Sequence, residues 1–217
     1  MEIIPGILEK EWTEIERKIE LAKPFAKTIH IDIIDGKFAP NTTFLDPGPF
    51  AKYTFPSSGH ALFFEVHLMV EEPINYLKPF ADVGFKRFLG HIEKMSDQVE
   101  FVAQGELLGE VGLAIDASTS IDAIEAPLED LDCVSIMTVK AGFSEQEFIR
   151  NSIDKIKSIR SKTQIPIEVD GGINDQAIVD AVKAGANRFV ANSFIFKNDN
   201  PSKNYQILNS CLGIKHF

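Results

Sequence analysis

The chain has 217 residues, 44% hydrophobic and 25% charged, the proportions of a globular protein long enough to bury a large core. Its net charge of -10 excludes general nucleic-acid binding, which needs clustered Lys and Arg to displace counterions. No apolar run approaches the ~18 residues of a membrane span and no basic leader precedes a long apolar stretch, so a cytoplasmic protein without a membrane partner is expected.

Along the chain, short apolar runs alternate with helix-compatible segments. Residues 3–8 read as a strand. Residues 11–25 read as a helix, with Trp12, Ile15, Ile19, Leu21 and Ala22 near helical spacing. Further strands are predicted at 28–34, 62–69, 87–92, 111–115, 134–139, 165–170 and 188–191. Pro73 opens a helix after the third strand, a position where proline is tolerated. Phe148, Ile149, Ile153, Ile156 and Ile159 predict a helix over 146–160, and residues 176–184 another that stops at Gly185. The stretch 40–60 holds four prolines and two glycines and reads as a long loop with one short helical turn. Cys133 lies in an apolar run and reads as a buried, inert thiol, and neither cysteine has metal or redox spacing. Eight strands alternating with helices predict an α/β fold, a single (β/α)8 TIM barrel over residues 1–217 with an eight-stranded parallel sheet. An open doubly wound sheet is the alternative.

Alternate strand residues face the same side, so His30 and Asp32 project together while Ile29, Ile31 and Ile33 project the other way. They close the second strand, His67 ends the third and Asp170 ends the seventh. In a parallel barrel, functional groups collect at the C-terminal strand ends. Buried Asp is rare unless paired or ligating. Two imidazoles and two carboxylates suit one divalent ion, zinc, iron(II), manganese or cobalt. A second signal lies in the last three strand-to-helix loops, with Gly142, Phe143 and Ser144, then Gly171 and Gly172, then Asn192 and Ser193. Glycines and hydroxyls placed there can cup an anion such as phosphate.

The segments His30-Ile31-Asp32-Ile33-Ile34-Asp35-Gly36-Lys37-Phe38-Ala39-Pro40-Asn41, Glu65-Val66-His67-Leu68-Met69-Val70, Met137-Thr138-Val139-Lys140-Ala141-Gly142-Phe143 and Val169-Asp170-Gly171-Gly172-Ile173 together resemble the ribulose-phosphate 3-epimerase family. The resemblance runs through most of the chain and implies the same barrel. It implies His30, Asp32, His67 and Asp170 as metal ligands, with Asp32 and Asp170 as the two proton carriers. It also implies that Met69 and Met137 line the site, that the substrate is a small sugar phosphate, and that the protein is a homo-oligomer. The chain departs from the family pattern at the periphery. Gly6 stands for a serine, Ile34 for a methionine, Glu145 and Asn192 for glycines, and Asp116-Ala117 for Asn-Pro. These departures leave two alternatives open: a related 3-epimerase of another ketose or ketose phosphate, or a non-catalytic sugar-phosphate-binding homologue.

Overall fold

The computed structural model describes residues 1–56, 61–197 and 200–213. Its strands are β1 (Glu2–Ile7), β2 (Thr28–Ile34), β3 (Phe63–Met69), β4 (Arg87–His91), β5 (Glu110–Ile115), β6 (Cys133–Met137), β7 (Ile167–Asp170) and β8 (Arg188–Ala191). Its α-helices are α1 (Trp12–Ala22), α2 (Ala51–Thr54), α3 (Ile74–Asp82), α4 (Gln98–Glu106), α5 (Ser152–Lys162), α6 (Asp175–Ala184), α7 (Ser193–Phe196) and α8 (Pro201–Leu212). Each strand pairs in parallel with its sequence neighbour, and β8 pairs with β1, closing the barrel.

Period-two alternation decides the layers. Ile29, Ile31 and Ile33 on β2, Phe64, Val66 and Leu68 on β3, and Ile167 and Val169 on β7 belong to the main apolar core, with Ile15 and Ile19 of α1 and Ile156 and Ile159 of α5. The intervening positions are buried and polar: His30, Asp32, Glu65, His67, Glu168 and Asp170. The register sets His30 beside Glu65 and Asp32 beside His67. A polar barrel interior thus sits inside an apolar shell, and the shell supplies the burial free energy.

Predicted strand ends agree with the structure to within one or two residues, and two connections differ from expectation. The predicted helix over 146–160 begins only at Ser152, because its first residues are taken by tertiary contacts. The Ile149 N–H donates to the Thr138 carbonyl at 2.7 Å. A Cβ on Gly172, whose φ is +65°, would lie 2.6 Å from the Phe148 nitrogen, so that backbone passes too close for any other residue. Between β5 and β6 there is no α-helix but two 3-10 turns, Ile121–Ala123 and Leu128–Asp130. The Lys155 ammonium from α5 braces this crossover, donating to the carbonyls of Asp116, Ala117 and Thr119. The stretch 40–60 does carry its short helical turn, α2, but it is anchored: buried Phe50 packs edge-on against Trp12 at 5.0 Å and Phe85 at 5.2 Å. Residues 57–60 of that stretch lie outside the described residues. Cys133 is fully buried, and burial pushes its thiol pKa up, so it stays protonated.

Candidate active site

β2, β3 and β7 bring His30, Asp32, His67 and Asp170 to the C-terminal mouth of the barrel. One ligand atom from each lies within 4.8 Å of all the others. Both histidines are fully buried, while Asp32 and Asp170 are 6% and 8% exposed and form the floor of an open cleft. His30 Nε2 lies 3.2 Å from Asp32 Oδ1 and 3.7 Å from Asp170 Oδ2. His67 Nδ1 lies 2.9 Å and 3.2 Å from the same two oxygens. Two imidazole nitrogens and two carboxylates facing one point can hold a divalent metal ion.

The charges in this cluster are strongly interdependent. Burial alone would lower the pKa of both histidines, but the facing carboxylates reverse that, holding His30 well above its usual value and raising His67 to about 9. Burial would raise the pKa of Asp32, and the two histidines outweigh it, leaving that carboxyl well below its ordinary range. Without a metal the histidines therefore carry protons that a metal must displace.

Beneath the cluster lies a second polar layer whose residues the sequence reading had not assigned. His30 Nδ1 meets Glu65 Oε1 at 2.7 Å, which fixes the ring and leaves Nε2 toward the carboxylates. Glu65 in turn accepts from the Arg87 guanidinium, and Arg87 also donates to Glu110 at 2.7 Å. Glu168 is fully buried beside them, 4.0 Å from His30 Nδ1, and Ser135 Oγ donates to it at 3.2 Å. Burial, with the neighbouring Glu65 charge, pushes Glu168 up to about 8, so it holds a proton at neutral pH. The signal for this layer was present in the sequence: Glu65 and Glu168 each stand two residues before a candidate ligand, which puts them on the same inward face.

Above the floor, the predicted loop residues Gly142, Phe143, Ser144, Gly171, Gly172, Asn192 and Ser193 all border one cleft, along with Met69, Met137, Glu145 and Gln146. The cleft encloses about 480 Å³ of empty space, open solvent at its mouth included. Met69 and Met137 are buried beside the floor in a small apolar cluster with Ile34, Ala39, Val139 and Ala141. The loop after β6 is closed by side chains. Gln146 Nε2 donates to the Lys140 and Phe143 carbonyls at 2.7 and 2.8 Å, and Asn41 Nδ2 donates to the Gly142 carbonyl at 2.8 Å. Thr138 Oγ1 donates to the Asp170 carbonyl at 3.0 Å and ties β6 to β7 at the site.

Three peripheral positions behave unusually. Glu145 adopts φ +62°, a left-handed conformation that favours glycine, and it lies exposed on the cleft rim, far from the helix start expected beside it. Gly6 is packed so closely that a Cβ there would lie 2.7 Å from Val190 Cγ1, so a side chain requires Val190 to move. Asn192 borders the cleft with its oxygen 3.1 Å from the Lys18 ammonium.

Comparison with known proteins places this geometry in context. Over residues 2–196 the chain matches the model of the ribulose-phosphate 3 epimerase family. It is 32% identical over 214 residues to the ribulose-phosphate 3-epimerase of Bacillus subtilis, covering 94% of this chain and 95% of that protein. It is 35% identical over 191 residues to the enzyme of that name from Chlamydia muridarum, covering 84% and 82%. Among solved structures it resembles 3-hexulose-6-phosphate synthase from Salmonella typhimurium (TM-score 0.71, 13% identity, 98% of both chains). Phosphoribosyl anthranilate isomerase from Thermus thermophilus is similar as well (TM-score 0.68, 10% identity, 98% of both chains). These two likenesses show the barrel fold alone. The sequence match over residues 2–196, with relatives more than 30% identical across most of their length, makes this chain a member of the ribulose-phosphate 3-epimerase family, and so an isomerase.

Proposed function

We propose that the protein interconverts D-ribulose 5-phosphate and D-xylulose 5-phosphate by moving a proton at carbon 3, with Asp32 and Asp170 as the two proton carriers. The observation that carries this reading is the pair of barely exposed carboxylates on the cleft floor, held by one buried imidazole between them. Inverting a carbon beside a ketone means taking a proton from one face and returning one to the other. One ionised carboxylate serves as base and its protonated partner as acid, and a shared environment lets two close carboxyls differ in protonation. His30, Asp32, His67 and Asp170 hold the metal, through His30 Nε2 and His67 Nδ1. When bound, a divalent ion supplies Lewis-acid polarisation of the ketone and stabilises the enediolate charge.

Met69 and Met137 exclude water beside the reacting carbon, and the loops carrying Gly142, Phe143, Ser144, Gly171, Gly172, Asn192 and Ser193 take the phosphate through backbone N–H groups and hydroxyls. A homo-oligomer in a reducing cytoplasm accords with this reading, and sedimentation of the purified protein checks the assembly.

The test is proton NMR of D-ribulose 5-phosphate in heavy water, with metal-free protein and then with zinc, iron(II), manganese or cobalt added. Metal-dependent deuterium uptake at carbon 3 with formation of D-xylulose 5-phosphate is expected. No uptake under any metal rules the reading out. A second reading, another ketose or ketose phosphate as substrate, draws on Glu145 at the rim and Gly6 beside the floor, and the same experiment on other ketoses separates the two.

A further inference from the structure

α1 buries Ile15, Lys18, Ile19 and Ala22 on one face, so a cation stands inside an apolar stripe. The Lys18 side chain is only 10% exposed. A buried ammonium persists only with partners. Lys18 has two: Glu9 Oε1 at 2.7 Å and Asn192 Oδ1 at 3.1 Å. Its Nζ also lies 5.0 Å from the centre of the Phe196 ring. Glu9 follows β1 and Asn192 follows β8, and these strands are paired neighbours, so barrel closure brings the three polar residues together at the cleft.

The chemistry of the pair fixes the orientation of Asn192. An ammonium only donates, so the carboxamide oxygen must face it. The end left over is the Nδ2 amino group, two donors that meet no acceptor among the described residues. Asn192 and the adjacent Ser193 border the cleft, so donors collect on that wall. The cleft has need of them, because among the described residues its lining contains no Lys or Arg but does contain Asp32, Glu145 and Asp170.

We propose that Lys18 is a positioning residue for the anionic end of the substrate: it turns the Asn192 carboxamide so that its amino group donates to a phosphate, while Glu9 tempers the charge of Lys18. This rests on the reading that the cleft takes a phosphorylated ketose. The ammonium stands one residue behind the wall, where its field offsets part of the negative potential of the cleft. Asn192 transmits that polarity to the ligand through a chain of hydrogen bonds.

The experiment titrates inorganic phosphate into the intact protein by calorimetry and measures KM and kcat for D-ribulose 5-phosphate, in wild type, Lys18→Met, Lys18→Arg and Glu9→Gln. Lys18→Met is expected to weaken phosphate binding and raise KM by about tenfold, with the larger share of the loss in KM rather than kcat. Lys18→Arg recovers most of that loss, because it restores a donor to Asn192. Glu9→Gln moves the other way, tightening phosphate by about two- to threefold, a direction that loss of packing does not produce. Phosphate affinity unchanged in Lys18→Met, or weakened in Glu9→Gln, overturns the proposal, as does a wild-type protein that binds no phosphate. If Lys18→Met fails to fold, Glu9→Gln alone decides. Phosphate binding that depends on Lys18 without any epimerisation sinks the epimerase reading and leaves this one standing. Normal epimerisation with phosphate affinity independent of Lys18 does the reverse.

Discussion

The floor of the cleft and its rim are built on opposite principles. The floor is made of strand residues tied to one another and to the layer beneath: Asp32 meets His67 within the cluster, His30 rests on Glu65, and Glu65 on Arg87. The rim is made of loop residues held by three hydrogen bonds to backbone carbonyls, two from Gln146 and one from Asn41. The floor carries His30, Asp32, His67 and Asp170 with one polar atom of each within 4.8 Å of the others, whereas the rim carries an exposed Glu145 in a left-handed conformation and Asn192. A buried polar network tolerates little change, since removing one partner strands the next as an unpaired charge. A loop facing water can change its side chains and lose only local contacts.

The largest expected effect that sharpens this contrast comes from the two proposed proton carriers, Asp32 and Asp170. Asp170→Asn should cut carbon-3 proton exchange by about a thousandfold or more, and Asp32→Asn by at least as much, because it also removes the carboxylate that lies nearer to both histidines. Deuterium incorporation under saturating metal measures it, and near-normal exchange in either variant would show that the floor is not the reacting surface.

Next in size is the layer beneath. Glu65→Gln takes the charge from His30 and leaves Arg87 facing a neutral amide, so metal affinity should fall about ten- to a hundredfold. Stability should fall by about 3–5 kcal/mol, the cost of breaking a buried ion pair. Metal titration and urea unfolding read the two separately. If metal affinity stays at the wild-type level, Glu65 serves the fold and not the ligand.

A smaller effect should appear with pH. His67, raised to about 9 from an ordinary 6.5, binds its proton more tightly folded than unfolded. The stabilisation this gives the metal-free protein is fully present below pH 6.5 and is lost as the pH rises through about 9. Urea midpoints in the presence of a chelator, compared at pH 6, 8 and 10, test it, and His67→Gln should flatten the profile. Metal binding should show the opposite slope, strengthening over the same range as protons leave.

The smallest effect concerns the rim. Glu145→Gly relieves a left-handed φ of +62° at an exposed site, a gain of about 1 kcal/mol. It also removes a carboxylate from the cleft wall, so KM for a phosphorylated ketose should fall by about two- to threefold. A higher melting temperature with unchanged KM would mean that the Glu145 side chain points away from the bound phosphate and matters only to the backbone.

Much of this architecture was legible in the sequence, because it is written in local periods. The run Thr28–Ile34 shows both the strand and its two faces, and the apolar runs placed all eight strands. The four candidate ligand positions could be read because His and Asp are out of place in such runs. Glu65 and Glu168 were equally readable from the same two-residue spacing, yet a lone glutamate in a strand does not reveal whether it meets an arginine, an imidazole or solvent.

What only the tertiary structure decided are the contacts between residues distant in the chain. The apolar spacing of Phe148 and Ile149 satisfies a helix, but the backbone there is claimed by Thr138 and Gly172, which barrel closure brings alongside. Lys18 reads as an ordinary helix lysine until β8 docks against β1 and puts Asn192 3.1 Å away, 174 residues later in the chain. Periodicity reports which face a side chain occupies, since that depends on neighbours three or four residues off. Which partner it finds on that face depends on register and closure, which belong to the assembled barrel alone.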